Sequence, residues 1–385
     1  MNFPTNQTSG SARPRVVVAM SGGVDSSVAA ALLVEQGYEV IGMMLRLWSE
    51  PGLGNVTPAN RCCTLDQMTD ARRVADRLGI PFYVIDVQQH FRRAIVQFFL
   101  DEHAAGRTPN PCVECNRQIR FTYLLERALA LGANYLATGH YARVAHGGHA
   151  YRLLRAVDEH KDQSYVLHVL QQEQLAHVLF PIGEFTKEEV RRLADQHGLS
   201  VAAKQESQDL CFLNDGDYRR FLREHSLDVL HSGPILDLTG RELGQHEGLP
   251  FYTIGQRKGL GIASAEPLFV LRKDAARNAI IVGPRQALGV RELTARGVNW
   301  IDGHTPTTPI AAQVKIRYKA TPVAAVVTAA EGSAVVRFAE PVSGVTPGQA
   351  AVFYDGETCL GGGLIADEAT ANGEEHAPAA GAIVP

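Results

Sequence analysis

Val16-Val17-Val18-Ala19-Met20-Ser21-Gly22-Gly23-Val24-Asp25-Ser26-Ser27, close to the start of this 385-residue chain, decides the fold. The apolar run predicts a strand, Ser-Gly-Gly predicts a tight turn, and Val28 to Gln36 predicts a helix closed by Gly37 at a left-handed cap position. Backbone N–H groups of such a loop and the positive end of the helix macrodipole converge on one point, which suits an anion such as pyrophosphate. A nucleotide is the natural guest. Outward from this unit, strands are expected at Tyr38–Leu45, Phe82–Val87 and Tyr135–Thr138, with helices near Leu65–Leu78, Phe91–Glu102 and Phe121–Leu131. Strand and helix alternating at this rhythm mean an α/β fold with a doubly wound parallel sheet, whose ligands sit at the carboxyl ends of the strands.

A P-loop of the Walker type would need Lys followed by Ser or Thr after its glycines, and this stretch has neither. Asp25 stands there instead, where a carboxylate repels phosphate unless a divalent cation lies between. Ser-Gly-Gly-Val-Asp-Ser resembles the pyrophosphate loop of enzymes that cleave ATP between the α and β phosphates and adenylate an oxygen. The competing reading is a glycine-rich turn that binds nothing.

Composition sets the outer bounds. With 45% hydrophobic and 20% charged residues, the chain has the make-up of a soluble protein of two or three domains. No apolar run of about 18 residues is present, and the polar first residues carry no secretory pattern, so a cytoplasmic protein without membrane contact is expected. A net charge of −4 leaves any RNA binding to local basic surface. Six cysteines, Cys62, Cys63, Cys112, Cys115, Cys211 and Cys359, are few for this length and point to chemistry or metal before disulfide staples. Cys62 and Cys63 read as passive, and Cys359 as core packing.

Farther along, Tyr141–Ala145 and His149–Leu154 around Gly147-Gly148 read as a hairpin appended to the sheet, and Thr186-Lys187-Glu188-Glu189 as a capping box opening a helix that stops at Gly198. From about Asn214 the rhythm changes, and from Leu293 short alternating strands predict a small β-barrel. The expected organisation is a disordered 1–13, an α/β nucleotide-binding domain 14–213, a central domain 214–292, a barrel 293–367 and a disordered tail 368–385. In Gln313-Val314-Lys315-Ile316-Arg317-Tyr318-Lys319 a period of two places Lys315, Arg317 and Lys319 on one strand face. That makes either a solvated barrel face or a basic strip for RNA.

Two prolines stiffen the approach to a Cys-x-x-Cys in Gly106-Arg107-Thr108-Pro109-Asn110-Pro111-Cys112-Val113-Glu114-Cys115-Asn116-Arg117, read as a loop. Arg107, Arg117 and Arg120 lie near these thiols, and positive charge raises thiolate fraction. A lone sulfur follows far downstream in Lys204-Gln205-Glu206-Ser207-Gln208-Asp209-Leu210-Cys211-Phe212. Inert loop thiols and a structural zinc site are the competing readings, the latter lacking an evident second ligand pair.

With Ala137-Thr138-Gly139-His140-Tyr141, Lys161-Asp162-Gln163-Ser164-Tyr165, Thr253-Ile254-Gly255-Gln256-Arg257-Lys258-Gly259-Leu260 and Thr346-Pro347-Gly348-Gln349-Ala350 following in order, the chain from about Arg15 to Ala366 resembles the tRNA-specific 2-thiouridylases. The resemblance implies a sheet of the adenine nucleotide alpha hydrolase (PP-loop) type, then a small central domain and a C-terminal β-barrel. It implies an ATP-dependent sulfurtransferase that replaces the C2 oxygen of the wobble uridine of tRNA with sulfur, helped by Mg²⁺ and supplied by a cysteine desulfurase or sulfur-relay protein. By resemblance, ATP lies against Ala19, Met20, Ser21, Gly22, Gly23, Val24, Asp25 and Ser26, flanked by Leu45 and Gly139. Asn110, Pro111 and Cys112 engage the flipped-out base, and His140, Lys161, Asp162, Gln163, Arg317, Tyr318 and Gln349 touch tRNA.

For the sulfur step the resemblance gives a persulfide on Cys211, with Cys115 attacking it and closing a transient disulfide. One position departs from the commonest pattern: many members carry Asp where this chain has Cys112. Cys112, Cys115 and Cys211 are therefore also an expected thiolate set for an iron–sulfur cluster holding sulfide on an open iron. Two alternatives remain at this point: a pyrophosphatase-type ligase or amidase acting on a small acid, and a non-catalytic tRNA-binding sulfur carrier.

Overall fold

The computed structural model describes residues 13–50, 64–148, 150–202, 204, 210–213, 215–225 and 230–367. The expectations for Cys62, Cys63, residues 205–209, 1–12 and 368–385 lie outside the described residues. The chain opens with β1 (Arg15–Ala19), α1 (Val24–Glu35), β2 (Glu39–Arg46), α2 (Leu65–Leu78) and β3 (Phe82–Asp86). Next, α3 (Gln88–Phe91), a π-helical run Arg92–Val96 and α4 (Gln97–Ala104) form one helical stretch. A second such stretch joins α5 (Pro111–Glu114), a π-helical run Cys115–Leu124 and α6 (Leu125–Ala130), and leads into β4 (Tyr135–Thr138). The hairpin β5 (Ala142–Gly147) and β6 (Ala150–Arg155) follows, then α7 (Ser164–Leu167), α8 (Gln172–Leu175), β7 (Val178–Leu179), α9 (Lys187–Gln196) and α10 (Tyr218–His225).

The first sheet has the order β3-β2-β1-β4-β7 and is parallel at every pairing. Val16, Val17 and Val18 are 0% exposed because helices cover both faces, which is why β1 reads as an unbroken apolar run rather than an alternating one. Sequence signals at the helix ends act as expected. Thr64 and Gln67 form a reciprocal capping box and Gly79 ends α2 in the left-handed region, while Thr186 and Glu189 do the same for the start of α9.

A second sheet orders β10 (Phe269–Asp274), β11 (Ala279–Gly283), β8 (Gly233–Leu236) and β9 (Glu242–His246) side by side. The third contains β12 (Gly289–Trp300), β13 (Ile310–Lys315), β14 (Val323–Ala330), β15 (Ser333–Ser343), β16 (Ala350–Asp355) and β17 (Thr358–Ile365). A β12–β17 pairing closes these strands into a barrel and removes the free edges. No helix among the described residues is long and apolar enough to cross a membrane.

Three local expectations are corrected. The hairpin β5–β6 does not extend the parallel sheet; β6 pairs with barrel strand β17, through Thr358 opposite Leu154 and Cys359 opposite Leu153, and so fastens the barrel to the first domain. The Cys-x-x-Cys is not in a loop. Asn110 caps a helix with Pro111 in its first turn, its side chain accepting from the Cys112 N–H at 3.1 Å, so both cysteines are helical. Finally, β13 ends at Lys315, and Ile316–Ala320 is a turn, so Lys315, Arg317 and Lys319 do not line a strand. Lys315 turns inward, its ammonium 5.9 Å from the Tyr165 ring centre and 5.6 Å from that of Tyr318.

Where the first domain, the second sheet and the barrel meet, Lys273 is half-buried, and its buried Nζ has no hydrogen-bond partner among the described residues. Burial brings its pKa from 10.5 down to about 8, against the pull of Asp367. Because the folded state holds this proton less tightly than the unfolded chain, the cost of the buried charge is fully present below pH 8. It is relieved as pH rises from there toward the unfolded value. Lys273→Met is therefore expected to stabilise the protein at pH 7 by about 1–3 kcal/mol, an advantage that shrinks above pH 8. Urea midpoints at pH 7 and pH 9.5 measure it, and equal gains at both would refute the assignment.

Candidate active site

The carboxyl end of β1 passes through Met20 and Ser21 into the Gly22-Gly23 turn and directly into α1. Gly22 has φ +72°, and a Cβ there would overlap the Gln67 carbonyl at the start of α2, so the turn requires glycine. Gly139, just past β4, packs so closely on α1 that a Cβ would lie 2.6 Å from the Ser26 nitrogen. Ser26 Oγ accepts from the Ser21 N–H at 3.2 Å, and both Ser26 and Ser27 hydroxyls donate to the Gly23 carbonyl. The loop is thus braced from within. No side-chain cap covers the N-terminus of α1, which leaves this end of the helix facing the crevice.

Two lysines that the sequence reading did not assign to the site stand at this loop. Lys187 Nζ donates to both oxygens of Asp25, at 2.8 and 2.9 Å, and Asp25 also accepts from the Tyr141 hydroxyl at 2.8 Å. Lys204 Nζ donates to the Gly22 carbonyl at 2.9 Å and to Asp70 at 2.7 Å. The cation absent after the glycines in sequence is therefore supplied in space by the first residue of α9. Its signal was present: the Thr186 capping box fixes where α9 begins, and the Lys187 N–H donates to Asp158 Oδ2 at 2.9 Å.

Gln163 holds Tyr141 from both sides, its Oε1 accepting from the Tyr141 N–H at 2.9 Å and its own N–H donating to the Tyr141 carbonyl at 2.8 Å. Asp162 is 6% exposed, and its carboxylate accepts from the N–H groups of Ala156 and Ser164 and from the Ser164 hydroxyl. Lys161 is half-buried beside it, in a turn closed on Asp158. His140 is 7% exposed, packed between Phe121 and Phe180, with Nδ1 2.6 Å from Thr138 Oγ1. Burial, aided by the Arg120 charge, holds its pKa well below the ordinary value. His140 is neutral, and Asp162 and His140 both face inward rather than solvent.

The sulfurs divide into an outer and an inner group. Cys112 is exposed on the first turn of its helix. Cys115, one turn on, is 6% exposed in an apolar cluster with Phe91, Phe99, Ile119, Phe212 and Phe221, and Cys211 packs against that same cluster. Leu45, at the carboxyl end of β2, packs there too, so the thiol cluster borders the strand ends that carry the glycine loop. Cys359 is fully buried in the sheet, and burial pushes its thiol up to about 12, which makes it an inert core residue. The barrel reaches the segment before Asn110 directly: the Thr108 N–H donates to the Pro347 carbonyl, and Gln349 Nε2 donates to the Thr108 carbonyl at 2.8 Å. Arg317 is exposed, and Tyr318 is half-buried with its ring 6.1 Å from that of Tyr165.

Comparison with known proteins agrees over the whole described chain. Residues 14–215 match a family model described as the tRNA methyl transferase HUP domain, residues 219–284 a tRNA methyl transferase PRC-barrel domain, and residues 290–365 an aminomethyltransferase beta-barrel domain. A tRNA-specific 2-thiouridylase MnmA from Roseiflexus castenholzii is 52% identical over 369 residues, which is 91% of this chain and 99% of that one. A protein of the same name from Magnetococcus marinus is 52% identical over 91% of this chain and 98% of its own length. One from Geotalea uraniireducens is 53% identical over 92% and 95%. The family models carry methyl transfer in their descriptions, whereas these relatives are named for thiolation.

Proposed function

Since the chain belongs to the tRNA-specific 2-thiouridylase family, we propose that it carries out the family reaction, ATP-dependent 2-thiolation of the wobble uridine of tRNA, with the residues gathered above. A uracil carbonyl oxygen departs poorly. Attack of that oxygen on the α phosphorus of ATP releases pyrophosphate and turns the oxygen into part of a departing AMP. The glycine loop and α1 N-terminus hold the phosphates, and Lys187 offsets both Asp25 and the charge that grows on the leaving pyrophosphate. Mg²⁺ would neutralise phosphate charge there, and Asp25, whose two oxygens accept from Lys187, would hold it only by exchanging that ammonium for the ion.

The sulfur step uses the inner pair of thiols. The outer sulfur of a Cys211 persulfide attacks C2 and AMP leaves with the former oxygen. The Cys115 thiolate then attacks the Cys211 sulfur, the S–S bond to the delivered sulfur breaks, and that sulfur stays on C2. A Cys115–Cys211 disulfide remains, to be reduced with two electrons by an external thiol reductant. A sulfur-relay protein or cysteine desulfurase loads the persulfide. The observation that carries this reading is that Cys115 and Cys211, 96 positions apart by their numbers, pack on one apolar cluster bordering the strand ends.

An iron–sulfur cluster fits this arrangement less well, because Cys112 is exposed on the outer side while Cys115 is enclosed among apolar side chains. Asn110, Pro111 and Cys112 meet the extruded base, whose removal from an anticodon loop costs a few kcal/mol. Arg317, Tyr318 and Gln349 extend the contact onto the barrel. Asp162, Gln163 and His140 act by shaping the surface around Lys161, since their own polar groups are engaged within the protein.

The test is a single-turnover reaction of the protein with ATP, a tRNA bearing a wobble uridine, and persulfide. Pyrophosphate, AMP and 2-thiouridine are expected in equal amounts. Pyrophosphate release with a small acid in place of tRNA would favour the ligase reading, and no release under any condition would favour the carrier.

A further inference from the structure

Phe212, next to Cys211, has its ring 6.3 Å from that of Phe91 and 5.4 Å from that of Phe99, and its carbonyl accepts from the Glu50 N–H at 3.4 Å. Glu50 is 4% exposed, and its carboxylate is gripped by Arg220 from α10 in a two-pronged fork, Nη1 to Oε1 at 3.0 Å and Nη2 to Oε2 at 2.7 Å. The same guanidinium binds Asp215 through Nε at 2.7 Å and Glu224 through Nη1 at 2.6 Å. His225 Nε2 stands 3.6 Å from Glu50 Oε1. Around this centre the Phe221 ring packs at 5.6 Å from Phe212 and 6.4 Å from Trp48. Glu50 therefore links two elements: its main chain holds the segment carrying Cys211, and its side chain is held by α10.

A buried ion pair contributes little net stability compared with apolar packing, but its fixed fork geometry dictates where its partners sit. Thiol–disulfide exchange depends strongly on such placement, because the attacking sulfur must reach its partner along the S–S axis.

We propose that Arg220 is a positioning residue for sulfur transfer: by forking onto Glu50 it sets the Cys211 stretch at exchange distance from Cys115, coupling α10 to the thiol chemistry. The role rests on the reading of Cys115 and Cys211 as the exchanging pair. It places a requirement of the sulfur step on a guanidinium of α10, the helix whose Phe221 belongs to the cluster that packs the two thiols.

The experiment uses the full-length chain with diamide, which takes up two protons and two electrons to become the hydrazine as the two thiols close to a disulfide. Closure of Cys115–Cys211 is followed by alkylation and peptide mass spectrometry. Arg220→Met is expected to slow closure and single-turnover thiolation together by about 10–100-fold. Arg220→Lys, a point charge that cannot fork, should recover only part. Pyrophosphate release with ATP and tRNA, and the alkylation rate of each thiol alone, should stay within about twofold of the parent chain, which a general loss of structure would not allow. Glu50→Gln, which keeps the shape of the pair and removes one charge, should show a smaller loss of the same kind. If Arg220→Met closes the disulfide as fast as the parent, the positioning role is overturned while the exchange stands. If the parent itself closes no Cys115–Cys211 disulfide, both are overturned.

Discussion

Replacing Cys211 by Ser stops tRNA thiolation, by at least about 10³-fold, while ATP cleavage against tRNA continues, because adenylation of the base precedes sulfur delivery and uses a different part of the site. A serine oxygen can carry no persulfide, so the adenylated uridine is formed and then returned to water. Cys115→Ser should fail differently. The persulfide still forms on Cys211, but nothing breaks its S–S bond, so modified tRNA stalls as a covalent adduct with the protein that a reductant releases. Cys112→Ser is expected to retain most of the thiolation, since Cys112 stands outside the apolar cluster that holds the other two. Quantifying 2-thiouridine and pyrophosphate in the same reaction separates these cases. If Cys112→Ser is as dead as Cys211→Ser, the two-thiol relay is wrong and a three-thiolate centre has to be reconsidered.

The contrast among these cysteines also marks what could be read before folding. The glycine loop was legible because its chemistry is local: an apolar strand, a turn that needs φ +72° at Gly22, and a helix start all lie within a few residues. The capping boxes at Thr64 and Thr186 were legible for the same reason. Asn110-Pro111 carried an equally local message, a helix cap followed by a first-turn proline, but the prolines were read as loop stiffeners, and so the Cys-x-x-Cys was placed outside a helix. Lys187 could not be assigned to Asp25 by inspection, since 162 residues separate them and only the packing of α9 on α1 brings them together. Lys315 shows the limit of periodicity. The alternation of Val314, Ile316 and Tyr318 with basic residues holds in burial, yet the strand stops at Lys315 and its ammonium turns onto aromatic rings instead of solvent. The hairpin fails in a related way: its strands and turn are local, but its attachment to β17 is decided by a partner some two hundred residues later, at Thr358 and Cys359.

Lys187→Met should slow pyrophosphate release with tRNA by about 10²–10³-fold, the loss expected when one preorganised charge donor is removed from a developing anion. Two effects combine. The ammonium assigned above to offset the leaving pyrophosphate is gone, and Asp25, previously neutralised through both carboxylate oxygens, would then repel the incoming triphosphate. The second effect can be isolated. Asp25→Asn in the Lys187→Met background removes the repelling charge while keeping an acceptor for the Tyr141 hydroxyl, so the double variant is expected to regain part of the lost ATP affinity but little of the maximal rate. Lys204→Met, whose ammonium binds the Gly22 carbonyl and Asp70 rather than Asp25, should act on the shape of the loop and raise the KM for ATP more than it lowers kcat. The decisive quantity is the coupling between positions 25 and 187. Full recovery of both rate and affinity in the double variant would mean that Lys187 serves only as a structural counter-ion for Asp25, whereas strict additivity of the two losses would mean that the residues act independently and that no repulsion by Asp25 is unmasked.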